Sequence, residues 1–291
     1  MRTAEELLQA FSDAGYIADR STAAVTFLAE QLHKPLLIEG PAGTGKTELA
    51  KSYAQLTGRR LIRLQCYEGL DESKILYEWN YKKQLLRIHA QSAIAPAEGT
   101  SWQQIEDDIF TEEFLLTRPL LESLRSPEPV VLLIDEVDRL EIETEAMLLE
   151  VLSEFQVSIP ELGTVPAREI PTVFLTSNDT RDLSGALKRR CLYLHLDYPS
   201  AERERAIIGS RVPSLTVELA RQIADFVALL RTLDLRKQPS ISETLDWAHA
   251  LVLLGIEHLG SSDFEDSLNV LLKFQTDIDL ARKSVTDVVV G

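Results

Sequence analysis

Short apolar runs alternate along the first two thirds of the chain with stretches of helical periodicity. Leu36 to Ile38, Leu61 to Gln65, Val130 to Glu136, Pro171 to Asn178 and Leu192 to Asp197 read as five main strands. Runs this short and this apolar, bounded by turn residues, suit strands buried on both faces of a parallel sheet. Between them, Val25, Leu28, Ala29 and Leu32 share one face of a helix over about 21–33. Met147, Leu148, Val151, Leu152 and Phe155 do the same over 144–155. Ser101 to Arg125 reads as helical with an interruption at Pro119, after a break at 95–100. Thr3 and Glu6, Ser240 and Glu243, and Ser262 and Glu265 each have capping-box spacing, and Gly15 stops the first helix. Gln156 to Ala167 alternates with period two around Gly163, as a small hairpin does. From Pro199 onward strands cease and helix follows helix, broken at Gly255 and Gly260. The pattern predicts an α/β core over 1–199 and an all-α domain over 200–291.

The 291 residues are 45% hydrophobic and 26% charged, enough for a sizeable core. No run approaches the roughly 20 apolar residues of a membrane span, and Met1 to Glu6 lacks the apolar centre of a signal peptide, so the cytoplasm is the expected compartment. A formal charge of −16 opposes binding to a polyanion and argues against a nucleic-acid motor. Cys66 and Cys191 lie far apart in apolar runs and read as buried thiols, neither a disulfide nor a metal site. The five histidines, His33, His89, His195, His249 and His258, have no metal-ligand spacing.

Against this background one stretch carries chemistry. Gly40-Pro41-Ala42-Gly43-Thr44-Gly45-Lys46-Thr47-Glu48 follows an apolar strand, opens a helix and satisfies the phosphate-loop pattern G-x-x-x-x-G-K-T. Its glycines let backbone N–H groups and the positive end of the helix face an anion. Lys46 is placed to reach the outer phosphates of a bound nucleotide, and Thr47 to ligate Mg²⁺. An ordinary strand-to-helix turn is the bland alternative, and the setting disfavours it. The third main strand ends in Asp135-Glu136, at the edge where open parallel sheets bind ligands. Asp135 suits Mg²⁺, directly or through water, and Glu136 suits polarisation of an attacking water; solvated carboxylates are the alternative.

The fourth main strand ends in Asn178, which suits a γ-phosphate or the water beside it, or simply a turn. Lys188-Arg189-Arg190 is either a solvated helix end or the source of an arginine finger. Tyr16-Ile17-Ala18 is a candidate lining for an adenine pocket, with a core contact as the alternative. Tyr77 to Lys83 is an aromatic and basic island, suited either to gripping a partner or to packing its rings beneath solvated lysines.

Together these residues resemble the AAA+ ATPases over essentially the whole chain. Gly40 to Thr47 matches Walker A, Val130 to Glu136 Walker B, Asn178 sensor 1 and the helical end the lid. The hairpin before sensor 1 and the insertion after the second strand look like the MoxR group, in which such insertions, here about 66–95 and 156–170, face a central pore. The runs Cys66-Tyr-Glu-Gly-Leu-Asp-Glu-Ser and Pro239-Ser-Ile-Ser-Glu-Thr look like its CoxD-type branch, associated with maturation of molybdenum-containing hydroxylases. The resemblance implies a P-loop αβα sandwich with a five-stranded parallel sheet in order 5-1-4-3-2 and a helical lid. It further implies a hexameric ring with ATP at subunit interfaces, a von Willebrand factor A domain partner and a metalloenzyme client. Alignment places the finger at Arg190, with Arg189 second, acting on the neighbour's ATP. One departure stands out: the sensor 2 arginine position falls on Thr244, with Arg236 and Lys237 as nearby cations.

The expected activity is Mg²⁺-dependent ATP hydrolysis by a ring-forming chaperone that remodels or matures a metalloenzyme. Lys46 and Arg190 would stabilise the transferring phosphoryl, Glu136 would orient the water and Asn178 would help to place it. Alternatives are an assembly module that binds ATP but hardly hydrolyses it, favoured by Thr244, a clamp-loader or branch-migration DNA motor, opposed by the charge, and a small-molecule kinase, disfavoured by the lid.

Overall fold

A computed structural model describes residues 2–94, 108–259 and 264–289. Strands β1 (Leu36–Glu39), β2 (Arg60–Gln65), β5 (Val130–Asp135), β8 (Thr172–Ser177) and β9 (Leu192–His195) form a five-stranded parallel sheet in order β2-β5-β8-β1-β9. Counted as main strands, this is the order 5-1-4-3-2. Every residue of β1, β5 and β8 is buried, which explains their unbroken apolar runs. The edge strand β2 buries Ile62 and Leu64 and exposes Arg63 and Gln65, so it alternates as a strand covered on one face does. Register sets the strand ends: Gln65 pairs with Asp135, Ile134 with Leu175, and Glu39 with Ser177.

The chain divides into two compact units, Ala24–Glu39 with Tyr53–Leu194, and Met1–Ala23 with Gly40–Ser52 and His195–Gly291. The first unit holds the sheet, α6 (Pro119–Arg125) packed on β2 and β5, and α7 (Ile142–Glu154). Its core joins Leu37, Leu132, Ile134 and Leu175 of the sheet to Leu148, Val151 and Leu152 of α7. Two antiparallel strand pairs bury Trp79, Leu115, Val157 and Ile159 in this core. In one, β3 (Tyr77–Trp79) pairs with β4 (Leu115–Thr117); in the other, β6 (Gln156–Ile159) pairs with β7 (Gly163–Pro166), and Gly163 at φ +78° turns the chain. Between β2 and β4 lie α4 (Glu72–Ile75) and α5 (Tyr81–Ile94).

Two expectations for this region need correction. Of the helix expected over Ser101 to Arg125, residues 101–107, like the break at 95–100, lie outside the described residues. Asp108 and Ile109 are helical, and then come a 3-10 turn at Glu112–Phe114, the strand β4, and α6, which Pro119 begins. A proline at the first helical position lacks only an N–H that would have no helical partner, and its fixed φ already suits the helix. The third main strand ends at Asp135 rather than Glu136, which adopts a left-handed conformation (φ 58°, ψ 50°). The aromatic and basic island divides: Trp79 is buried and edge-on to Tyr77 and Phe110, whereas Tyr81 is exposed and Lys83 pairs with Glu113.

The second unit is helical apart from the phosphate loop and its entry from β9. Helix α1 (Ala4–Asp13) is capped by Thr3, whose hydroxyl accepts from the Glu6 N–H, and α3 (Lys46–Thr57) starts in this unit. The tail forms α9 (Ala201–Arg211), α10 (Val217–Leu230), α11 (Ile241–Leu253), α12 (Phe264–Leu271) and α13 (Gln275–Val289). Ser262, Gly260 and hence the third capping box lie outside the described residues, but the Ser240–Glu243 box is present in full. Trp247 centres the core, fully buried against Phe226, with its indole N–H donating to Ser267 Oγ at 2.7 Å. Among the described residues no helix is long and apolar enough to cross a membrane.

A buried ion pair anchors this helical core. Glu204 on α9 accepts from both Nη atoms of Arg231, the Oε1 contact at 3.0 Å, with the side chains 0% and 9% exposed. Arg231 also covers the Tyr198 ring at 4.6 Å and donates from Nε to the Pro239 carbonyl at 3.0 Å, just before the cap of α11. Removing one member of such a pair leaves a buried charge without compensation. Glu204→Ala is therefore expected to lower unfolding free energy by about 3–5 kcal/mol in urea titrations, whereas Glu204→Leu with Arg231→Met loses much less.

Candidate functional site

The phosphate loop is shaped by close approaches that only glycine permits. At Gly40 (φ +147°) a Cβ would lie 2.0 Å from the Leu196 carbonyl oxygen, and at Gly43 (φ +76°) it would lie 2.3 Å from Ser240 Cβ. The Ile241 N–H, in the first turn of α11, donates to the Gly43 carbonyl at 3.2 Å. Lys46 is buried, and its Nζ donates to the carbonyls of Gly40 at 2.7 Å and Pro41 at 2.6 Å, folding the cation back over the loop. Thr44 Oγ1 bonds to the Pro41 carbonyl at 3.0 Å, and Leu49 N–H to Gly45 O at 3.0 Å begins the regular helix. A buried cation above a turn of backbone amides and a helix start is what a phosphate chain requires, so these residues fit the group expected of them.

Beside the loop lies a cavity of about 270 Å³ that brings together Tyr16, Ile17, Gly43, Thr44, Gly45 and Glu48. Residues from α9 and α11, among them Ile207, Ile241 and Leu245, complete an apolar wall. Burial pushes the Tyr16 phenol well above its ordinary range, so it stays neutral. Its ring packs on Phe11 with centroids 5.3 Å apart.

Two cations in this cavity escaped the sequence reading. Arg203 Nε donates to the Ile17 carbonyl at 3.0 Å, and Arg211 pairs with Glu48 at 2.7 Å. Arg203, Ile207 and Arg211 follow at intervals of four, one face of α9, and that spacing was the available signal. The residues considered for sensor 2 turn elsewhere. Thr244 is buried and bonds to the Ser240 carbonyl at 3.0 Å within its own helix. Arg236 lies over the Phe274 ring at 4.3 Å, and Lys237 pairs with Glu243 at 2.7 Å.

In the sheet-bearing unit the carboxylates gather at the end of β5. Asp135 is buried; its Oδ1 accepts from Thr176 Oγ1 at 2.5 Å and its Oδ2 from Arg63 Nε at 3.0 Å. Thr176 Oγ1 in turn accepts the Glu136 N–H at 2.9 Å, and Glu136 Oε2 lies 2.7 Å from Arg139 Nε. Cys66 reports the local field, since burial, then Asp135, Asp138 and Glu136, pushes its thiol up to about 12. Such a concentration of negative charge suits a divalent cation, and with both Asp135 oxygens already hydrogen-bonded a contact through water fits best. Asn178 follows β8, whose last residue Ser177 is paired with Glu39. Helix α8 (Gly185–Arg190) carries the three cations. Lys188 pairs with Glu39 at 3.2 Å, the exposed Arg189 donates to Gly185 O at 3.0 Å, and Arg190 bonds to Ala186 O at 2.9 Å and to Ser153 Oγ. Among the described residues no His, Cys, Asp and Glu side chains form a ready-made metal cluster.

Residues 35–191, more than half of the chain, match the AAA domain of the dynein-related subfamily. The chain belongs to that family, and so to the nucleotide-dependent AAA+ ATPases. Uncharacterized proteins of Staphylococcus aureus, from strains NCTC 8325 and COL among others, are 26% identical over 228 residues, 76% of this chain and 76% of theirs. Among solved structures, a RuvB mutant of Thermotoga maritima is similar at a TM-score of 0.50 and 16% identity, covering 92% of this chain and 70% of that one. Another, described as the RuvB Holliday junction branch migration motor, gives 0.46 and 16% over 87% of this chain and 67% of that one. At 16% identity the first of these two likenesses concerns the fold alone.

The tight contact at Gly43 yields a test. Gly43→Ala places a methyl against Ser240 at a φ that disfavours it, and is expected to weaken binding of a fluorescent ATP analogue by about tenfold or more with little change in far-UV circular dichroism.

Proposed function

We propose that the chain hydrolyses ATP with Mg²⁺ as a ring-forming member of the MoxR group, and that it remodels or matures a metalloenzyme client together with a von Willebrand factor A domain partner. The observation that carries the ATPase reading is the buried Lys46 folded over the Gly40–Gly45 backbone beside the cavity containing Tyr16 and Ile17. In this reading the apolar wall takes adenine, Gly40 to Gly45 offer their N–H groups to the phosphates, and Lys46 moves from its loop carbonyls onto the outer ones. Thr47 and Asp135 would hold Mg²⁺, which when bound neutralises charge on the β- and γ-phosphates. Glu136 would accept a hydrogen bond from the attacking water and Asn178 would position it. Its left-handed backbone turns Glu136 away from the direction β5 would give it, and strain of this kind recurs at sites that aim a side chain. Arg190, or Arg189, would reach the next subunit's γ-phosphate. The β6–β7 hairpin before Asn178 and the insertion after β2, together with the runs at Cys66–Ser73 and Pro239–Thr244, support the MoxR and CoxD-type placement. The negative charge favours a protein client over DNA.

Glu136→Gln is expected to retain ATP binding while turnover falls by about a thousandfold, in the range of other catalytic groups in this chemistry. Unchanged turnover would remove Glu136 from its role. The same variant with ATP should trap client and partner in a pull-down. Arg190→Ala is expected to lose hydrolysis only in the assembled state, so a plot of turnover per subunit against concentration should flatten.

A further inference from the structure

Two turns distant in the chain are locked together by side chains that the proposed chemistry does not use. After Glu136 the chain makes a 3-10 turn over Val137–Arg139 and enters α7; after Asn178 it runs through Asp179–Ser184 into α8. Asp138 is buried, and its Oδ2 accepts from Thr180 Oγ1 at 2.5 Å and from the Thr180 N–H at 3.2 Å. Arg181 spans the gap. Its Nη2 donates to the Leu140 carbonyl at 2.9 Å and to Glu145 Oε2 at 3.0 Å, and its Nε donates to the Asp138 carbonyl at 3.4 Å.

Glu145 is the centre of this lock. Its side chain is 1% exposed, and its second oxygen accepts the backbone N–H of Ser184 at 2.9 Å. Ser184 caps α8 by accepting the Leu187 N–H at 3.2 Å. At the far end Ser153 of α7 accepts from Arg190, and Leu187 between them is fully buried in the core. Helix α7 thus grips α8 at both ends and along its middle. A buried carboxylate satisfied by a guanidinium and a backbone N–H has a narrow geometric tolerance, because any displacement strands a charge.

We propose that Arg181 and Glu145 are positioning residues for the arginine finger: they fix α8 to the turn that follows Glu136, so that Arg189 and Arg190 are presented to the neighbouring subunit's nucleotide. The inference rests on the trans reading of those arginines. Arg181→Ala should lower kcat by about tenfold or more while the Kd for MgATP stays within about twofold, because the defect lies at the neighbour's site. The decisive readout is complementation. Glu136→Gln subunits have an inactive site of their own but an intact α8, so mixing them with Arg181→Ala subunits restores complete interfaces. The mixture should turn over ATP several times faster than the sum of the two proteins assayed apart. The Arg189→Ala, Arg190→Ala double variant mixed with Glu136→Gln serves as control. If the control recovers and the Arg181→Ala mixture does not, Arg181 acts on its own subunit and the proposal is overturned. If neither recovers, the trans reading fails first and takes the proposal with it. Full activity of Arg181→Ala alone would also overturn it. Glu145→Gln, one atom from the native side chain, replaces Arg181→Ala in the same mixtures if that variant does not fold.

Discussion

A single buried hydroxyl orders the polar end of the sheet. Thr176 lies on the central strand β8, 1% exposed; its Oγ1 donates to one carboxylate oxygen of Asp135 and accepts the main-chain N–H of Glu136. A buried carboxylate without such a partner would be costly, and a buried N–H at a strand end equally so. Thr176 satisfies both with one atom and leaves the Glu136 backbone to turn out of β5. Valine, nearly the same shape, would keep the packing and take from Asp135 Oδ1 and the Glu136 N–H the partner they share. The arrangement depends on the parallel register of β5 and β8, which sets Ile134 beside Leu175.

The same logic of satisfied buried charge recurs where a functional element must be held still. Glu204 and Arg231 fix Pro239 and with it the start of α11, whose cap lies against Gly43. Glu145 and Arg181 fix the start of α8, which carries Arg189 and Arg190. In each pair the carboxylate is almost fully buried and the arginine makes further bonds to backbone carbonyls. Such pairs add little net stability over apolar residues, but they tolerate few geometries, which is the property a positioning device needs.

Much of the fold could be read directly from residue pattern. Strands β1, β5 and β8 announce themselves because burial on both faces demands an apolar side chain at nearly every position. Ser240 and Glu243 announce α11 because capping is local chemistry. The region after residue 108 could not be read so. Leu115-Leu116-Thr117 is a strand only because β3 pairs with it, and Pro119 suits a helix start as well as a helix break. Within the site, the loop and Asp135 follow from spacing alone, whereas the left-handed turn at Glu136 and the parts played by Arg203 and Arg211 are set by contacts across long sequence separations.

That separation bears on how the molecule comes into being. The cavity next to the phosphate loop takes its walls from residues 15–48 and from 196–245, so its two sides leave the ribosome about 150 residues apart. The phosphate loop is made early, yet Gly40 and Gly43 lack the neighbours that require them until Leu196 and then Ser240 have been synthesised. A nascent chain that already displays the sheet strands therefore still lacks the apolar wall. The cavity is closed only once α11 with Ile241 and Leu245 has been made, long after the loop it adjoins.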